Sequence, residues 1–223
     1  MSRVAVRMVA MMLTVMAGTL ACRAGSGASA AVPSPVVDEA KAESKGKETA
    51  VVAGGCFWGI QAVFQHVKGV HSATAGYSGG TVKNPDYEMV SSGETGHAES
   101  VQIVYDPSQV TYGELLRVFF SVALDPTELN RQGPDRGTQY RSVIFYSNDE
   151  QKHIAEAYIA QLDQAKVYPR KIVTQVVPLQ AFYDAEDYHQ NYATIHPSDP
   201  YIVFNDAPKV ANLRKEFPEL YNK

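Results

Sequence analysis

Residues 53–59 read A-G-G-C-F-W-G and hold Cys56, one of two cysteines in the chain, and Trp58, its single tryptophan. A cysteine attacks electrophiles as its thiolate, and the free N–H groups and dipole at a helix start favour that anion. Residues 49–53 form an apolar strand candidate that ends at Gly54-Gly55. Phe57, Ile60, Phe64 and Val67 then share one helical stripe, with Val63 beside it. The spacing predicts strand, two glycines and a helix over 56–67, with Cys56 in the first turn and its thiolate stabilised. Trp58 lies about 100° round that helix from Phe57, on the side of Gln61, Ala62 and Gln65. A large aromatic there suggests a pocket wall; the competing reading is a core tryptophan covered by another element. Phe57 fits core packing equally well.

A second chemical group comes from H-A-E-S-V-Q-I-V-Y-D at 97–106. Val101, Ile103 and Tyr105 alternate with Ser100, Gln102 and Val104, and Glu99 shares the phase of the apolar set. A strand from 98 onward would point the Glu99 carboxyl toward the apolar side. Burial would raise its pKa and leave it partly protonated near neutrality, as a proton donor needs. The alternative is a strand that starts after Glu99 and leaves the side chain in water.

These groups need a frame. Residues 70–77 read as a strand ended by Ser78-Gly79-Gly80. Asn84-Pro85 marks a loop before Tyr87, and 91–96 is another loop. An amphipathic helix is predicted over 112–124, starting near Thr111 or Tyr112. The loop 125–139, rich in Gly, Pro, Asn and Asp, is long enough to be functional. A strand over 140–147 precedes a helix capped by Asn148 or Asp149 that runs to about 166, with Ile154, Tyr158 and Leu162 at spacing four. A strand over 172–177, a short helix over 185–192 and a partly helical segment over 205–223 follow. The mixture indicates α+β: a two-layer sandwich with a mixed central sheet and flanking helices around a ferredoxin-like core.

The chain has 223 residues, 45% of them hydrophobic, and a formal net charge of −4, which suits one domain with a real core. The mildly acidic balance argues against a nucleic-acid surface. Arg3 and Arg7 precede an apolar run over 9–20 followed by small residues, which is signal-peptide grammar over 1–22. T-L-A-C at 19–22 resembles a lipoprotein cleavage box with Cys22 as the acylated residue; the alternative is simple cleavage near Ala30 or Ala31. Removal of 1–22 would leave a charge of −6. Residues 23–47, rich in Ala, Ser, Gly, Lys and Glu, are expected to be a flexible tether, and 48–223 the folded domain. Export to the periplasm or cell envelope follows. With Cys22 lipidated or removed, Cys56 stands alone, either an inert core thiol or a reactive one.

G-C-F-W-G, read with G-Y-S-G-G at 76–80, N-P-D-Y at 84–87, T-G-H-A-E at 95–99, G-T-Q-Y-R-S at 137–142 and A-E-D-Y-H-Q-N-Y at 185–192, resembles the A-type peptide methionine sulfoxide reductases over roughly 49–200. The resemblance implies thiol-dependent reduction of the S epimer of methionine sulfoxide, free or in proteins. It makes Cys56 the nucleophile and Glu99 the acid on the sulfoxide oxygen. It makes Tyr87 and Tyr140 hydrogen-bond donors to that oxygen, Asp135 a polar support, and Phe57 and Trp58 the slot for the methyl group. The product would be methionine plus a sulfenic acid on Cys56. No metal or organic cofactor is implied, and a monomer without nucleic-acid partners is expected.

Two departures from the family pattern stand out. No cysteine follows Cys56, where many members carry resolving cysteines, so recycling needs an external thiol, thioredoxin-like or glutaredoxin-like. Leu124 stands where the family often has His. Membrane attachment would come only through a lipid on Cys22. Two other functions compete: an exported Cys–His hydrolase or transpeptidase with His97 or His189 as base, and a binding module with an inert Cys56. His97 is expected to shape its loop, and His189 to be structural or at the pocket rim.

Overall fold

Strand β1, Glu48–Ala53, is apolar on both faces because both are covered. Ala50 and Val52 belong to the main core, whereas Val51 and Ala53 join a smaller cluster on the opposite face. Such a strand belongs in the middle of a sheet. In the computed structural model, which describes residues 32–223, β1 lies between β3, Ala98–Tyr105, and β6, Val143–Tyr146. Strand β2, Val70–Ser78, pairs with the other side of β3. These pairings are all antiparallel.

Helix α1, Phe57–Gln65, connects β1 to β2, and α3, Tyr112–Val118, connects β3 to β6. The βαββαβ order with β6-β1-β3-β2 neighbours is the ferredoxin-like core expected above. Two edge strands extend it. β7, Gln175–Pro178, runs parallel to β6 after helix α4, Asp149–Gln164. β8, Phe182–Asp184, is antiparallel to β2. A short helix α2, Tyr87–Ser91, and a hairpin of β4, Arg131–Gln132, with β5, Asp135–Arg136, lie in the loops. The chain closes with α5, Tyr192–Ile195, and α6, Ala207–Glu216.

Local signals hold these elements in place. Asn148 caps α4 by accepting the Gln151 N–H at 2.8 Å, and Thr111 with Glu114 forms a capping box on α3. Helix α3 continues as a wider π-helical turn over Phe119–Ala123, so the helix expected over 112–124 is continuous but not uniform. Other expectations shift. The strand expected from 140 begins at Val143 because 138–140 form a 3₁₀ turn. The strand expected over 172–177 shrinks to β7, whose edge position tolerates Pro178. The helix expected over 185–192 is a 3₁₀ turn, Asp187–His189, then α5, separated by Asn191 at φ 58°.

The largest difference lies before β1. Residues 32–47 were expected to be a free tether, yet they form a strap along the domain; 23–31 lie outside the described residues, as does 1–22 with Cys22. Low apolar content does not prevent docking here, because acids and backbone groups make the contacts. Asp38 Oδ1 accepts the Gly113 N–H at 2.8 Å and its other oxygen takes the Thr111 hydroxyl, while Glu39 accepts the Tyr112 N–H at 2.7 Å. Two carboxylates thus satisfy orphan donors at the start of α3. Tyr158 donates its hydroxyl to the Pro33 carbonyl at 2.6 Å, and Val32 is buried in the core. Gly113 is required for this contact, since a Cβ there would lie 2.5 Å from the Asp38 carboxyl carbon. Asp38→Ala should therefore lower stability by about 1–2 kcal/mol in urea denaturation. An unchanged midpoint would mean that the strap does not hold α3.

Candidate active site

The chain leaves β1 through Gly54 and Gly55 and enters α1 at Cys56. Gly55 takes φ 95°, a region open to glycine at little cost. Cys56 is the N-cap residue rather than a member of the first turn, and its side chain makes no capping bond. The cap comes from β3: Glu99 Oε2 accepts the Phe57 N–H at 3.0 Å. Glu99 has the buried phase its alternation predicts and is 2% exposed. Burial raises its carboxyl to about 8, opposed by the Phe57 N–H and the Cys56 thiol, with Asp135 and Asp206 adding to the rise.

The same arrangement corrects the expectation of a resting thiolate. Burial, then Glu99 and Asp206, push the Cys56 thiol well above its usual range; the Trp58 N–H and Lys209 oppose them. The helix start is real, but Glu99 takes one of its N–H groups, and burial of the thiol is the largest influence on it. Cys56 and Glu99 therefore form a neutral pair at rest, thiol beside carboxylic acid.

Tyr87 opens α2 and is fixed there by Glu186, which accepts the Tyr87 N–H at 2.8 Å and the Tyr77 hydroxyl at 2.9 Å. Tyr140 ends the 3₁₀ turn after the hairpin. Burial first, then Glu99, raises both phenols, so they stay protonated donors. Asp135 on β5 is half-buried, accepts the Tyr201 hydroxyl, and is raised by burial. Cys56, Gln132, Asp135, Tyr201, Asn205 and Lys209 border a cavity of about 90 Å³.

Trp58 satisfies parts of both readings. One face stacks on Tyr192, with ring centres 3.8 Å apart and planes at 10°, and Tyr201 meets it edge-on at 5.9 Å. It remains only partly buried, with its indole N–H unpartnered. Phe57, 1% exposed, packs against Tyr77 and His189 and belongs to the core behind the site. The supposedly polar side of α1 is also covered. Gln61 is buried because its amide donates to the Ala73 carbonyl and Gln190, and its oxygen accepts the Asn191 N–H.

Of the seven residues expected from the sequence, Cys56 and Asp135 border the cavity, Glu99, Tyr87 and Tyr140 lie near Cys56, Trp58 follows it on α1, and Phe57 stands in the core behind. Tyr192, Tyr201, Asp206 and Lys209 were not anticipated. Asp206 is fully buried and accepts from Lys209 at 3.1 Å. Gly59 clears the space, since a Cβ there would fall 2.8 Å from Lys209 Nζ. The second glycine of G-C-F-W-G was the available signal. Leu124 packs its Cδ1 3.0 Å from the position a Gly54 Cβ would take.

His97 is committed to its loops, accepting the Gly80 N–H at Nδ1 and placing Nε2 2.7 Å from the Val82 carbonyl. His189 is buried among Phe57, Trp58, Tyr87 and Tyr188, with neither ring nitrogen hydrogen-bonded, and burial lowers its pKa. Among the described residues, neither histidine is hydrogen-bonded to Cys56, so the Cys–His hydrolase loses its base.

Residues 48–221 match the family model described as peptide methionine sulfoxide reductase. The chain is 62% identical over 178 residues to peptide methionine sulfoxide reductase MsrA 2 of Mesorhizobium japonicum, covering 80% of this chain and 91% of that protein. It is 50% identical over 190 residues to the MsrA 2 of a Synechocystis species, covering 84% and 89%. Among solved structures, methionine sulfoxide reductase A of Corynebacterium diphtheriae aligns with TM-score 0.60 at 38% identity, over 69% of this chain and 77% of that one. Mxr1 of Saccharomyces cerevisiae in reduced form aligns with TM-score 0.61 at 33% identity, over 69% and 87%. With this fold and a buried cysteine–carboxyl pair at the head of α1, the chain belongs to the peptide methionine sulfoxide reductase family.

Proposed function

We propose that this protein reduces the S epimer of methionine sulfoxide, free or in proteins, to methionine at the expense of an external thiol. The observation that carries the residue roles is the buried Glu99 carboxyl, raised to about 8 and set beside Cys56 at the start of α1. A sulfoxide is attacked at sulfur by a thiolate while its oxygen gains a proton. The resting pair holds both protons needed. Glu99 gives its proton to the sulfoxide oxygen and, now a carboxylate, takes the proton of the Cys56 thiol. The Cys56 sulfur bonds to the substrate sulfur, with Tyr87 and Tyr140 donating to the developing charge on oxygen. The substrate S–O bond and the new sulfur–sulfur bond then both break as oxygen passes to Cys56. The thiol and sulfoxide have become a sulfenic acid and a thioether, with one proton relayed through Glu99. Trp58, backed by Tyr192, supplies the apolar slot for the methyl group.

Recycling consumes two external thiols. The first displaces water from the sulfenic acid and leaves a mixed disulfide on Cys56; the second releases the small disulfide and restores the Cys56 thiol. The absence of any cysteine after Cys56 supports an outside donor, thioredoxin-like or glutaredoxin-like. The segment 1–22 supports export to the periplasm or cell envelope, with lipidation at Cys22 distinguishing anchored from free forms.

Cys56→Ser should abolish turnover of methionine S-sulfoxide with dithiothreitol; retained turnover contradicts the nucleophile assignment. Glu99→Gln should slow the reaction by about 10²–10⁴ and remove the loss of rate as pH rises through about 8. An unaltered pH profile in that variant excludes Glu99 as the acid. Stability of the native protein should fall over the same range. Because the folded-state pKa is raised, the protonated acid favours folding at low pH, and that contribution is lost as pH rises to about 8. Glu99→Gln should thus gain thermal stability over the native protein between pH 5 and pH 9. A constant difference across that range contradicts the shifted pKa.

A further inference from the structure

Exposed large apolar side chains are unevenly placed among the described residues. Apart from Val36 in the strap, they are Met89, Leu129, Tyr188, Ile195, Val203 and Phe204. Leu129, Val203 and Phe204 flank the two segments that border the Cys56 cavity, and Met89, Tyr188 and Ile195 lie on other short elements. Met89 follows Tyr87 on α2, and Leu129 leads into the hairpin that holds Gln132 and Asp135. Tyr188 precedes His189. Ile195 shares α5 with Tyr192, which backs Trp58. Val203 and Phe204 lie between Tyr201 and Asn205, both bordering the Cys56 cavity. Phe204 is 78% exposed and Leu129 63%. Scattered exposed apolar residues are ordinary, but Leu129, Val203 and Phe204 on the two segments that border one cavity mark a contact surface.

We infer that Leu129, Val203 and Phe204 form an apolar rim that docks the polypeptide flanking an oxidised methionine, so that the enzyme favours sulfoxides set among apolar residues. This rests on the reduction proposed above. The cavity beside Cys56, about 90 Å³, has room for the tip of one side chain and little more. The rest of a peptide substrate must lie outside it, against these elements. Methionine is itself an apolar residue of cores and Met-rich interfaces, and its oxidation to the polar sulfoxide disrupts that packing. The chain segments that then become available are apolar, matching Leu129, Val203 and Phe204 in character. The strap, α3 and the capping contacts of Asp38 and Glu39 lie on other elements and leave this rim uncovered.

The test compares an N-acetylated methionine sulfoxide amide with two peptides, one flanked by Leu and Val and one flanked by Ser and Asp. The native protein should show the lowest KM for the apolar peptide. Phe204→Ser and Leu129→Ser together should raise that KM by about fivefold or more, leaving kcat and the amide's kinetics unchanged. Turnover of the amide reads the reduction itself, so it separates failure of the rim from failure of the proposed activity. Equal KM values for the two peptides in the native protein would overturn the rim. So would a double variant whose only change is a higher KM for a thioredoxin-like donor, which would make the surface a reductant site.

Discussion

A single hydrogen bond, from the Phe57 N–H to Glu99 Oε2, ties helix α1 to strand β3 and sets the chemistry of the site. It joins the two groups that must exchange protons, the acid through its capping bond and Cys56 through its place immediately before Phe57. The rest of the fold keeps that bond dry. β3 is flanked by β1 and β2, and most of α1 is buried, including the side of Gln61. Water at this point would let Glu99 ionise at its ordinary pKa, and the site would lose its proton donor.

A second consequence concerns the resting charge. A thiolate next to Glu99, Asp135 and Asp206 would place several negative charges in one buried region with Lys209 as the nearby cation. The neutral thiol–acid pair avoids this, and it delays anion formation until a sulfoxide oxygen is present to accept a proton. The free thiol is correspondingly protected from indiscriminate oxidation, since oxidants react with thiolates.

Much of this was legible in the residues, for identifiable reasons. The period of two along 98–105 gives Glu99 the phase of the apolar set but leaves open whether the strand reaches it, and two glycines before an apolar helical stripe locate Cys56 at a helix start. Tyr140 and Asp135 lie in a turn and a two-residue hairpin strand, where no periodicity marks orientation, so only the family resemblance singled them out. Tyr192, Tyr201 and Asp206 reach the site through long-range packing that one sequence does not encode locally. The strap over 32–47 was misread because its composition is that of a tether, while its docking depends on Asp38 and Glu39 meeting unpaired N–H groups on α3. The thiolate was misread because a helix start is visible in sequence and the buried acids facing it are not.

The proton that Glu99 holds at rest can be observed without turnover. Carboxyl-carbon NMR of glutamate-labelled protein, with Glu99 assigned by its loss in Glu99→Gln, should show a titration midpoint near 8 in the substrate-free enzyme. A midpoint near the ordinary 4.5 would mean an ionised Glu99 at rest and would contradict the account at its centre.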